Sequence, residues 1–459
     1  MRIVVCVRQG LDGEISPFDA SAYEAALRIA GAEVILVSMA PTTGKDFLLS
    51  LTRLGAKHAV LLSDKAFAGA DTLATAYTLS LAIQRLAPDL VFCGRQTLVG
   101  DTAQTGVMLA SVLDYSLITN VMQINEVTQN EILCTTRTGG SETATFPALI
   151  TVERIHTLRF PGIFSRPGTV ETLNAADLDA DLSKCGLSGS PTHVLASYEN
   201  GSGKRKCKWV AFDALESIVE AASKKREEQL LPPSMGKTLS LVIAVGEEAK
   251  EMASFVSDHV TVIEKTCAND IARIIRESDP DAVIWASDDW SKRTSALVAA
   301  KLSLGLCADC TLLESDRDTL VMYRPALSGS IIAKVVSQTR PAMATVRTKS
   351  HASDIILTIG FGAKGAQDKV KALAERLGAE IGTTRKAVDH DLLPYSHQIG
   401  LTGKTVAPAV YIAVGVSGAV HHIVGMQNAG TVIAINKDKD APIFEYADYG
   451  ILADIEEIL

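Results

Sequence analysis

Three glycines at 360, 362 and 365 have the type and spacing of residues that hold a phosphate. Residues 354–378 predict a strand, a glycine turn and a helix, and the turn reads G-x-G-x-x-G. This arrangement is typical of dinucleotide-binding loops. In this chain, Glu380 lies about where a nicotinamide site has the acidic residue that binds the ribose. The motif therefore predicts a dinucleotide site and leaves its ligand open.

The residues after this turn favour a larger ligand. A polar, glycine-rich segment at 382–406 is followed by a second glycine turn in "VYIAVGVSGAVHHIVGM" and by polar residues in "TVIAINKDKDAPIF". A nicotinamide site usually needs one glycine turn for its pyrophosphate. Small or polar residues at several successive strand ends indicate an extended ligand along the sheet edge.

A second candidate phosphate site lies at 93–106, "CGRQTLVGDTAQTG", between a predicted strand and a predicted helix. Such a junction presents free backbone N–H groups and the positive end of a helix dipole. Small residues there allow close approach, and Thr102, Gln104 and Thr105 can donate hydrogen bonds. A plain connecting loop is the alternative reading.

Eight cysteines are scattered along the chain, and Cys307 and Cys310 form a single C-x-x-C pair. A zinc site needs a second pair or suitably spaced histidines, and neither is near. We therefore expect reduced thiols with a packing role and no metal centre.

The composition is that of an ordinary globular protein, and its charge argues against a nucleic-acid-binding function. The chain has 459 residues, of which 47% are hydrophobic and 21% charged, with a net charge of −9. A nucleic-acid-binding protein normally has a basic surface. The start, "MRIVVCVRQG", predicts a strand rather than a signal peptide, and no apolar run reaches the roughly 18 residues of a membrane helix. We expect a cytoplasmic protein without a membrane span.

Strands and helices alternate from the N-terminus, which predicts a mostly parallel sheet covered on both faces. The pattern recurs at an offset of about 190 residues: "LAPDLVFCGRQ" resembles "ESDPDAVIWASDD", and "ALITVER" resembles "AMATVRT". In the second copy Asp288 and Asp289 would repel a phosphate, so that copy is predicted to lack the site. A helix at 212–231 could be an arm that packs on another domain or the last helix of its own.

We therefore predict two related doubly wound, mostly parallel-sheet domains, followed by a Rossmann-like domain. The predicted limits are 1–235 for a nucleotide-binding domain with a C-terminal arm, 236–350 for the duplicate, and 351–459 for the third domain.

Long motifs identify the family that this pattern resembles. Residues 398–454, from "QIGLTGKTVAPAVYIAVGVSGAVHHIVGM" to "YGILAD", resemble the flavin domain of the electron transfer flavoprotein alpha subunit. The stretch from "SLGLCADCTLLE" to "RPAMATVR" resembles the N-terminal domain of that subunit. Residues 1–178, with "SPFDASAYEAALRI" and "GRQTLVGDTAQTG", resemble the beta subunit. The resemblance covers the chain nearly end to end and implies a natural beta–alpha fusion.

The resemblance implies one FAD, bound mainly by residues 352–459. Its predicted contacts include the flavin neighbours Thr384 and Arg385, the polar flavin edge, the pyrophosphate turn 416–419, and the adenosine end: Gly360, Gly362, Thr384, Arg385, Gln398, Ile399, Gly400, Thr402, Gly403, Val416, Ser417, Gly418, Ala419, His422, Asn436, Lys437, Asp438 and Asp454. Arg385 and His422 are expected to offer positive charge to the reduced flavin.

The beta-like part is expected to bind a second nucleotide, either AMP or a second FAD. The predicted residues lie at successive strand ends and in the loop 100–106: Cys6, Ser16, Asp19, Met39, Gly100, Asp101, Thr102, Ala103, Gln104, Thr105 and Gly106.

The chain departs from the family at two places that matter for function. Phe361 stands where relatives carry an arginine in a G-R-G turn, so one cationic contact near the flavin is expected to be missing. In the partner-recognition loop, Phe160 replaces a leucine anchor, and an exposed aromatic side chain there could dock into a dehydrogenase. A buried loop residue is the alternative for Phe160.

Three functions remain open on these residues. The first is an electron carrier between an acyl-CoA dehydrogenase-like flavoprotein and an acceptor oxidoreductase, ferredoxin or flavodoxin. The second is an electron-bifurcating NADH oxidoreductase with two FAD. The third is a nucleotide-binding module without redox chemistry. The fusion is expected to be a monomer or a homodimer.

Overall fold

The computed structural model describes residues 1–10, 12–97, 100, 102–199, 204–229, 237–327, 331–347, 355–400, 403–404, 406, 408–427 and 429–458. Strands and helices alternate along most of these residues, which confirms the predicted α/β class. The strands are β1 (Arg2–Cys6), β2 (Glu33–Met39), β3 (His58–Leu62), β4 (Leu90–Gly94), β5 (Ser116–Val127), β6 (Glu131–Thr136), β7 (Ser141–Thr145), β8 (Ala148–Val152), β9 (Thr169–Leu173), β10 (Thr192–Glu199), β11 (Lys208–Trp209), β12 (Val242–Val245), β13 (Val260–Ile263), β14 (Ala282–Ala286), β15 (Leu306–Cys310), β16 (Leu312–Asp316), β17 (Thr319–Ala326), β18 (Ile331–Ser337), β19 (Ala342–Val346), β20 (Ile355–Ile359), β21 (Glu380–Thr383), β22 (Val410–Val414), β23 (Thr431–Asn436) and β24 (Tyr449–Leu452).

The helices are mostly short and cover the sheets. They are α1 (Pro17–Leu27), α2 (Gly44–Thr52), α3 (Thr72–Leu86), α4 (Thr105–Leu113), α5 (Leu215–Gln229), α6 (Lys250–Ala253), α7 (Ala268–Ser278), α8 (Asp289–Leu302), α9 (Gln367–Arg376), α10 (Arg385–Val388), α11 (Val420–Met426) and α12 (Ile455–Ile458). Within the described ranges no helix combines the length and the apolar character that a membrane span requires.

The chain divides into two units. Unit 1 comprises Met1–Tyr198, Met235–Leu327 and Ile332–Thr348, and unit 2 comprises Glu199–Ser234, Ser328–Ile331 and Lys349–Leu459. The predicted limit at 235, between the two copies of the repeat, and the predicted limit at 350, before the third domain, stay predictions.

Unit 1 contains the two copies of the predicted repeat. Its nine-stranded sheet has the order β7-β6-β5-β8-β4-β1-β2-β3-β9, and its five-stranded sheet has the order β13-β12-β14-β19-β15. The order β5-β8-β4-β1-β2 in the first corresponds to β15-β19-β14-β12-β13 in the second. Both copies carry an irregularity at the same place, with Asn120 at φ 56° and Asp309 at φ 60°. The relationship between the two domains is therefore confirmed.

The central strands of unit 1 are buried on both faces because helices cover the sheet. Every residue of β8 and of β14 is buried, and both strands are rich in Ala, Val and Ile. Such continuous apolar runs are typical of parallel strands between two helical layers. Beyond β8, the strands β5, β6 and β7 pair antiparallel, which the alternating pattern did not predict.

Unit 2 is built on a six-stranded sheet in the order β11-β24-β23-β22-β20-β21, and all its neighbouring strands are parallel. Its first strand and helix α5 come from the segment that precedes the second repeat. Leu215 and Val219 of α5 are buried in the same core as Leu357 and Val370. The helix is therefore an arm that packs outside the N-terminal domain, the first of the two alternatives.

Arg205 fastens the start of this arm. Its guanidinium pairs with Asp448 and donates to the backbone carbonyl oxygens of Gln427, Ala429 and Gly430. One cation thus satisfies the end of α11 and the beginning of β23 together, since these carbonyl groups have no helical partner of their own.

Candidate functional site

The residues predicted to hold FAD lie at one edge of the sheet in unit 2. Because the strands run parallel, their carboxyl ends share this edge, where open α/β sheets bind ligands. The ends of β24, β23, β22, β20 and β21 follow one another in this order. At the usual strand spacing the row is about 19 Å long, which suits an extended dinucleotide.

The turn after β22 offers backbone donors to a ligand. Among the residues that the structure describes, none accepts a hydrogen bond from the backbone N–H groups of Ser417, Gly418 or Ala419. The carbonyl oxygen of Val416 accepts from Asn436 Nδ2 at 2.9 Å, which ties the turn to the end of β23. Consecutive N–H groups in a turn form an anion-binding concavity. They are therefore suited to an oxyanion such as a pyrophosphate.

Gly418 is required for this turn on two grounds. Its φ of +89° lies in the region that favours glycine, and a Cβ would lie 2.1 Å from the backbone nitrogen of Ile443. The backbone of the turn at Gly418 thus packs directly against residues 442–443 on one side. Its N–H donors are therefore left for a ligand on the opposite side of the turn. This cradle and its donor set fit the pyrophosphate of FAD.

The G-x-G-x-x-G turn has a different local role. The N–H groups of Gly360 and Gly362 donate to the carbonyl oxygens of Val414 and Gly415, at 2.8 and 2.9 Å. A Cβ on Gly360 would lie 2.2 Å from the Gly415 oxygen. These glycines let the ends of β20 and β22 approach closely, and their N–H groups are already used. Their contact with FAD stays a prediction.

The loop at 398–404 is held against β21. Gln398 is buried, and the N–H of Ile399 donates to the Thr383 carbonyl oxygen at 2.9 Å. Gly400 and Gly403 form a tight turn through an N–H to carbonyl bond of 3.0 Å. Thr402 lies outside the described residues. The loop therefore joins the same edge, and the flavin contacts predicted for it stay predictions.

His422 is buried and fully hydrogen-bonded within unit 2. Its Nδ1 lies 3.0 Å from the carbonyl oxygen of Ile399 and its Nε2 lies 2.8 Å from the Tyr411 hydroxyl. A carbonyl only accepts, so Nδ1 carries the proton and Nε2 accepts from Tyr411. Burial lowers the pKa of His422 to about 4, although the bond to Ile399 opposes this. The imidazole is neutral at pH 7, so the positive charge expected from it must come from another group.

We expect His422 to make unit 2 acid-sensitive. The unfolded chain binds a proton at a pKa near 6.5, whereas the folded chain does so near 4. Stability is therefore unaffected above pH 6.5 and falls by up to about 3 kcal/mol as the pH drops to 4. The measurement is urea unfolding of the wild type and His422→Gln at pH 7.5 and 4.5, followed by Trp209 fluorescence.

The stability difference between wild type and His422→Gln should shrink at pH 4.5. The neighbouring exposed residue provides the control, because His421→Gln removes a histidine without removing a buried one. Equal differences at both pH values for His422→Gln would contradict the assignment.

Thr384 and Arg385 follow β21 beside the glycine turn. The Thr384 N–H donates to the Ile359 carbonyl oxygen at 3.3 Å. The Arg385 side chain is half exposed, and its Nε lies 3.5 Å from an Asp389 carboxylate oxygen. The guanidinium is thus available at the edge but shares its charge with Asp389.

The residues predicted for the adenosine end lie at the ends of β23 and β24. Asn436 Oδ1 accepts from the N–H of Asp438 at 3.0 Å, and Lys437 lies 3.4 Å from Asp454. The backbone hydrogen bond from Glu456, followed by Lys437, lowers the pKa of Asp454. These side chains share one end of the row, and their ligand contacts stay predictions.

The second predicted nucleotide site also lies at a carboxyl edge, in unit 1. Cys6 ends β1 and Met39 ends β2. The loop that follows β4 contains Gly100 and Thr102 to Gln104, and Thr105 and Gly106 begin α4. Asp101 lies outside the described residues. Gln104 is buried and accepts from the Thr72 hydroxyl at 3.2 Å, and a Cβ on Gly106 would lie 2.9 Å from Thr151. Part of this loop therefore packs on the protein itself.

Two buried polar groups in this region are suited to a polar ligand. The Ser16 hydroxyl is buried without a hydrogen-bond partner among the described residues. Burial raises the pKa of Asp19 to about 7, and the backbone N–H groups of Arg8 and Gly94 oppose the rise. A neutral Asp19 can donate a hydrogen bond to a ligand oxygen. The choice between AMP and FAD stays open.

The corresponding junction of the second copy is filled by its own side chains. Asp288 caps α8 by accepting from the Ser291 N–H at 2.9 Å, and Lys265 lies 3.0 Å from it. A carboxylate thus lies at the position where a phosphate would bind. The predicted absence of a phosphate site at this junction stays a prediction.

Phe160 is exposed in unit 1. Its side chain is 92% exposed, and those of Ile163 and Phe164 in the same loop are equally accessible. The alternative of a buried loop residue does not hold, and its role in partner binding stays a prediction.

The cysteines are all free thiols. Cys307 and Cys310 are buried in β15, and the Cys310 thiol lies 3.7 Å from the Cys307 carbonyl oxygen. No cluster of metal-ligating side chains occurs within the described ranges.

Sequence reasoning missed two contacts in unit 2. The Tyr411 hydroxyl is the partner of His422 Nε2 at 2.8 Å, yet Tyr411 lies within an apolar strand where a tyrosine is expected to pack. Lys386 lies 4.4 Å from the centroid of the Phe361 ring. A lysine that follows an arginine predicts only a solvated charge, so neither contact had a signal in the sequence.

Family comparisons agree with this architecture. The "Electron transfer flavoprotein domain" profile matches residues 3–178 and 216–375, and the "Electron transfer flavoprotein FAD-binding domain" profile matches residues 350–427. The first profile alone covers more than half of the chain.

Curated relatives include both subunits of one organism. The chain is 32% identical to the electron transfer flavoprotein subunit alpha of Thermoanaerobacterium thermosaccharolyticum over 267 residues, which is 46% of this chain and 81% of that protein. It is 40% identical to the beta subunit of that organism over 202 residues, 42% of this chain and 78% of that protein. It is 31% identical to the LctC subunit of the Acetobacterium woodii lactate dehydrogenase (NAD(+),ferredoxin) over 270 residues, 47% of this chain and 65% of that protein. The chain therefore belongs to the electron transfer flavoprotein family.

Proposed function

We propose that this chain is an electron carrier in which a beta-like half and an alpha-like half are fused, and that FAD binds along the carboxyl edge of unit 2. The single observation that carries the proposal is the row of N–H groups at Ser417, Gly418 and Ala419, which have no acceptor among the described residues. Two matches to the same family domain, followed by the FAD-binding domain, support the order of the fusion.

The residues of the edge divide the work of holding FAD. The turn at 416–419 binds the pyrophosphate, the residues after β23 and β24 bind the adenosine, and those after β20 and β21 flank the flavin. When bound, FAD supplies a ring system that accepts and releases electrons singly or in pairs. Arg385 offers positive charge to the ring, whereas neutral His422 uses its two ring nitrogens to hold Ile399 and Tyr411 in place.

The second nucleotide site completes the proposal. AMP or a second FAD binds at the edge of unit 1 that includes Cys6, Met39 and the loop before α4. The Ser16 hydroxyl, which has no partner in the described part of the chain, and the raised pKa of Asp19 support a polar ligand there.

The electron donor is an acyl-CoA dehydrogenase-like flavoprotein, and the acceptor is an oxidoreductase, ferredoxin or flavodoxin. The exposed side chains of Phe160, Ile163 and Phe164 support a docking role for the loop after β8. Clustered aromatic and aliphatic anchors of this kind contribute most of the binding energy of an interface. The protein acts in the cytoplasm as a monomer or a homodimer.

A second candidate is a bifurcating NADH oxidoreductase with FAD in both sites. The observation that favours it is the similarity to LctC, whose name refers to NAD(+) and ferredoxin. The two candidates differ in flavin content and in their response to NADH.

The absorption spectrum of the purified chain, followed by extraction of its ligands, tests the proposal. One FAD and one AMP per chain are expected for the carrier, and two FAD with bleaching by NADH for the bifurcating enzyme. Gly418→Ala is the matched variant, since it should lose the ligand of unit 2 and keep that of unit 1. A colourless protein that does not take up added FAD would refute both candidates.

A further inference from the structure

Two lysine ammonium groups lie near the ring of Phe361, at the end of β20 where the flavin is proposed to bind. Lys386 Nζ lies 4.4 Å and Lys364 Nζ 5.7 Å from the ring centroid, both within cation–π range. The His390 ring packs on Phe361 with the two centroids 4.7 Å apart. The phenyl ring is therefore a platform for positive charge.

The position of this platform is fixed by the strand ends. Ile359 and Thr383 pair in the parallel ladder of β20 and β21, and Phe361 and Lys386 follow them by two and three residues. The turn that carries Phe361 is held by the Gly362 N–H, which donates to Gly415 at 2.9 Å. Lys386, in the short helix α10, and the ring thus meet beside Thr384 and Arg385.

The charge of Lys386 is less compensated than that of its neighbour. Arg385 lies near Asp389, whereas within the described part of unit 2 Lys386 forms no ion pair with a carboxylate. His422 supplies no charge at pH 7, since its pKa is lowered to about 4. An exposed ammonium would normally sample many rotamers, and the ring attracts it to one place.

We propose that Lys386, held on the Phe361 ring, is a positioning residue that supplies positive charge to the reduced flavin. The inference rests on the proposed binding of FAD to unit 2. It revises the sequence-based expectation that replacing an arginine by Phe361 leaves a cationic contact missing, because the ring recruits a cation from the neighbouring strand end. The ammonium stabilises the negative charge that reduction adds to the flavin, so it strengthens the binding of reduced FAD more than that of oxidised FAD.

The test compares the affinities for oxidised and reduced FAD under anaerobic conditions in the wild type and in Lys386→Met, which keeps the apolar cover of the ring. The ratio of the two affinities should fall roughly tenfold, as expected for the loss of one charge near a partly exposed site. Lys386→Arg should restore most of the ratio, and Phe361→Leu should lower it by a smaller factor.

Lys371→Met is the matched control, because Lys371 is a surface lysine of α9 that pairs only loosely with Asp368 at 3.5 Å. It should leave the ratio unchanged, and the thermal midpoints of all variants without FAD should agree with that of the wild type. A ratio for Lys386→Met within twofold of the wild type would overturn the inference alone. Failure of the wild type to bind FAD would overturn the proposed function and the inference with it.

Discussion

Gly418→Ala should reduce FAD binding by at least a hundredfold while the chain still folds. The added Cβ would lie 2.1 Å from the backbone nitrogen and 2.6 Å from the Cα of Ile443, and neither atom can move without displacing the turn at 442–446. Backbone displacement of this kind costs about 3 kcal/mol, which is roughly a hundredfold in affinity when the displaced groups bind the ligand. The measurement is a fluorescence titration with FAD.

Gly378→Ala is the control that separates the effect of the steric clash at Gly418 from the effect of a positive φ. Gly378 also has a positive φ of +61°, but no atom lies within 4 Å of its added Cβ. The substitution should cost about 1 kcal/mol of stability and change FAD affinity by less than threefold, because only the left-handed conformation is penalised. If both alanine variants bind FAD equally well, the turn at 416–419 is not the pyrophosphate site.

Glu153→Ala should destabilise unit 1 by about 3–5 kcal/mol, the range for breaking a buried ion pair from one side. The Glu153 side chain is fully buried, with its carboxylate oxygens 3.2 Å from Arg95 Nε and 3.2 Å from Arg137 Nη1. Removing it leaves two guanidinium groups without the charge that stabilises both of them. Arg137 retains Asp289, so the larger loss falls on Arg95, which also stacks on Phe18 at 5.0 Å.

Denaturant unfolding followed by tryptophan fluorescence measures this loss, since Trp285 is buried in unit 1. Glu142→Ala is the control, since Glu142 forms a 3.2 Å ion pair with Arg293 but is partly exposed. Such surface pairs contribute about 0–1 kcal/mol. A loss for Glu153→Ala as small as that for Glu142→Ala would show that the buried carboxylate stabilises nothing.

Local patterns determined much of what the sequence could predict. The alternation of apolar runs and helical segments predicted the α/β class, and the similarity of "ALITVER" to "AMATVRT" predicted the duplication. Both signals could be recognised because each lies within a short stretch of sequence. The glycine turn at 416–419 was recognisable for the same reason.

What the sequence could not give depends on distant neighbours. Gly360 belongs to a dinucleotide motif, yet in the fold its N–H is bound by Val414, about fifty residues away along the chain. The lowered pKa of His422 comes from its burial, which depends on how distant segments pack around the imidazole. Likewise, the contact of Lys386 with the Phe361 ring joins residues that follow two different strands, so it had no signal in the sequence.

Because the arm at 204–229 belongs to unit 2, the residues of unit 2 are not contiguous along the chain. A recombinant fragment that starts at residue 351 would lack strand β11 and helix α5, and it would expose Leu357 and Val370, which pack with Leu215 and Val219 in the intact protein. During synthesis on the ribosome, the arm emerges more than a hundred residues before the strands it joins. Leu215 and Val219 therefore lack their packing partners until the strands of unit 2 that follow residue 354 have been translated.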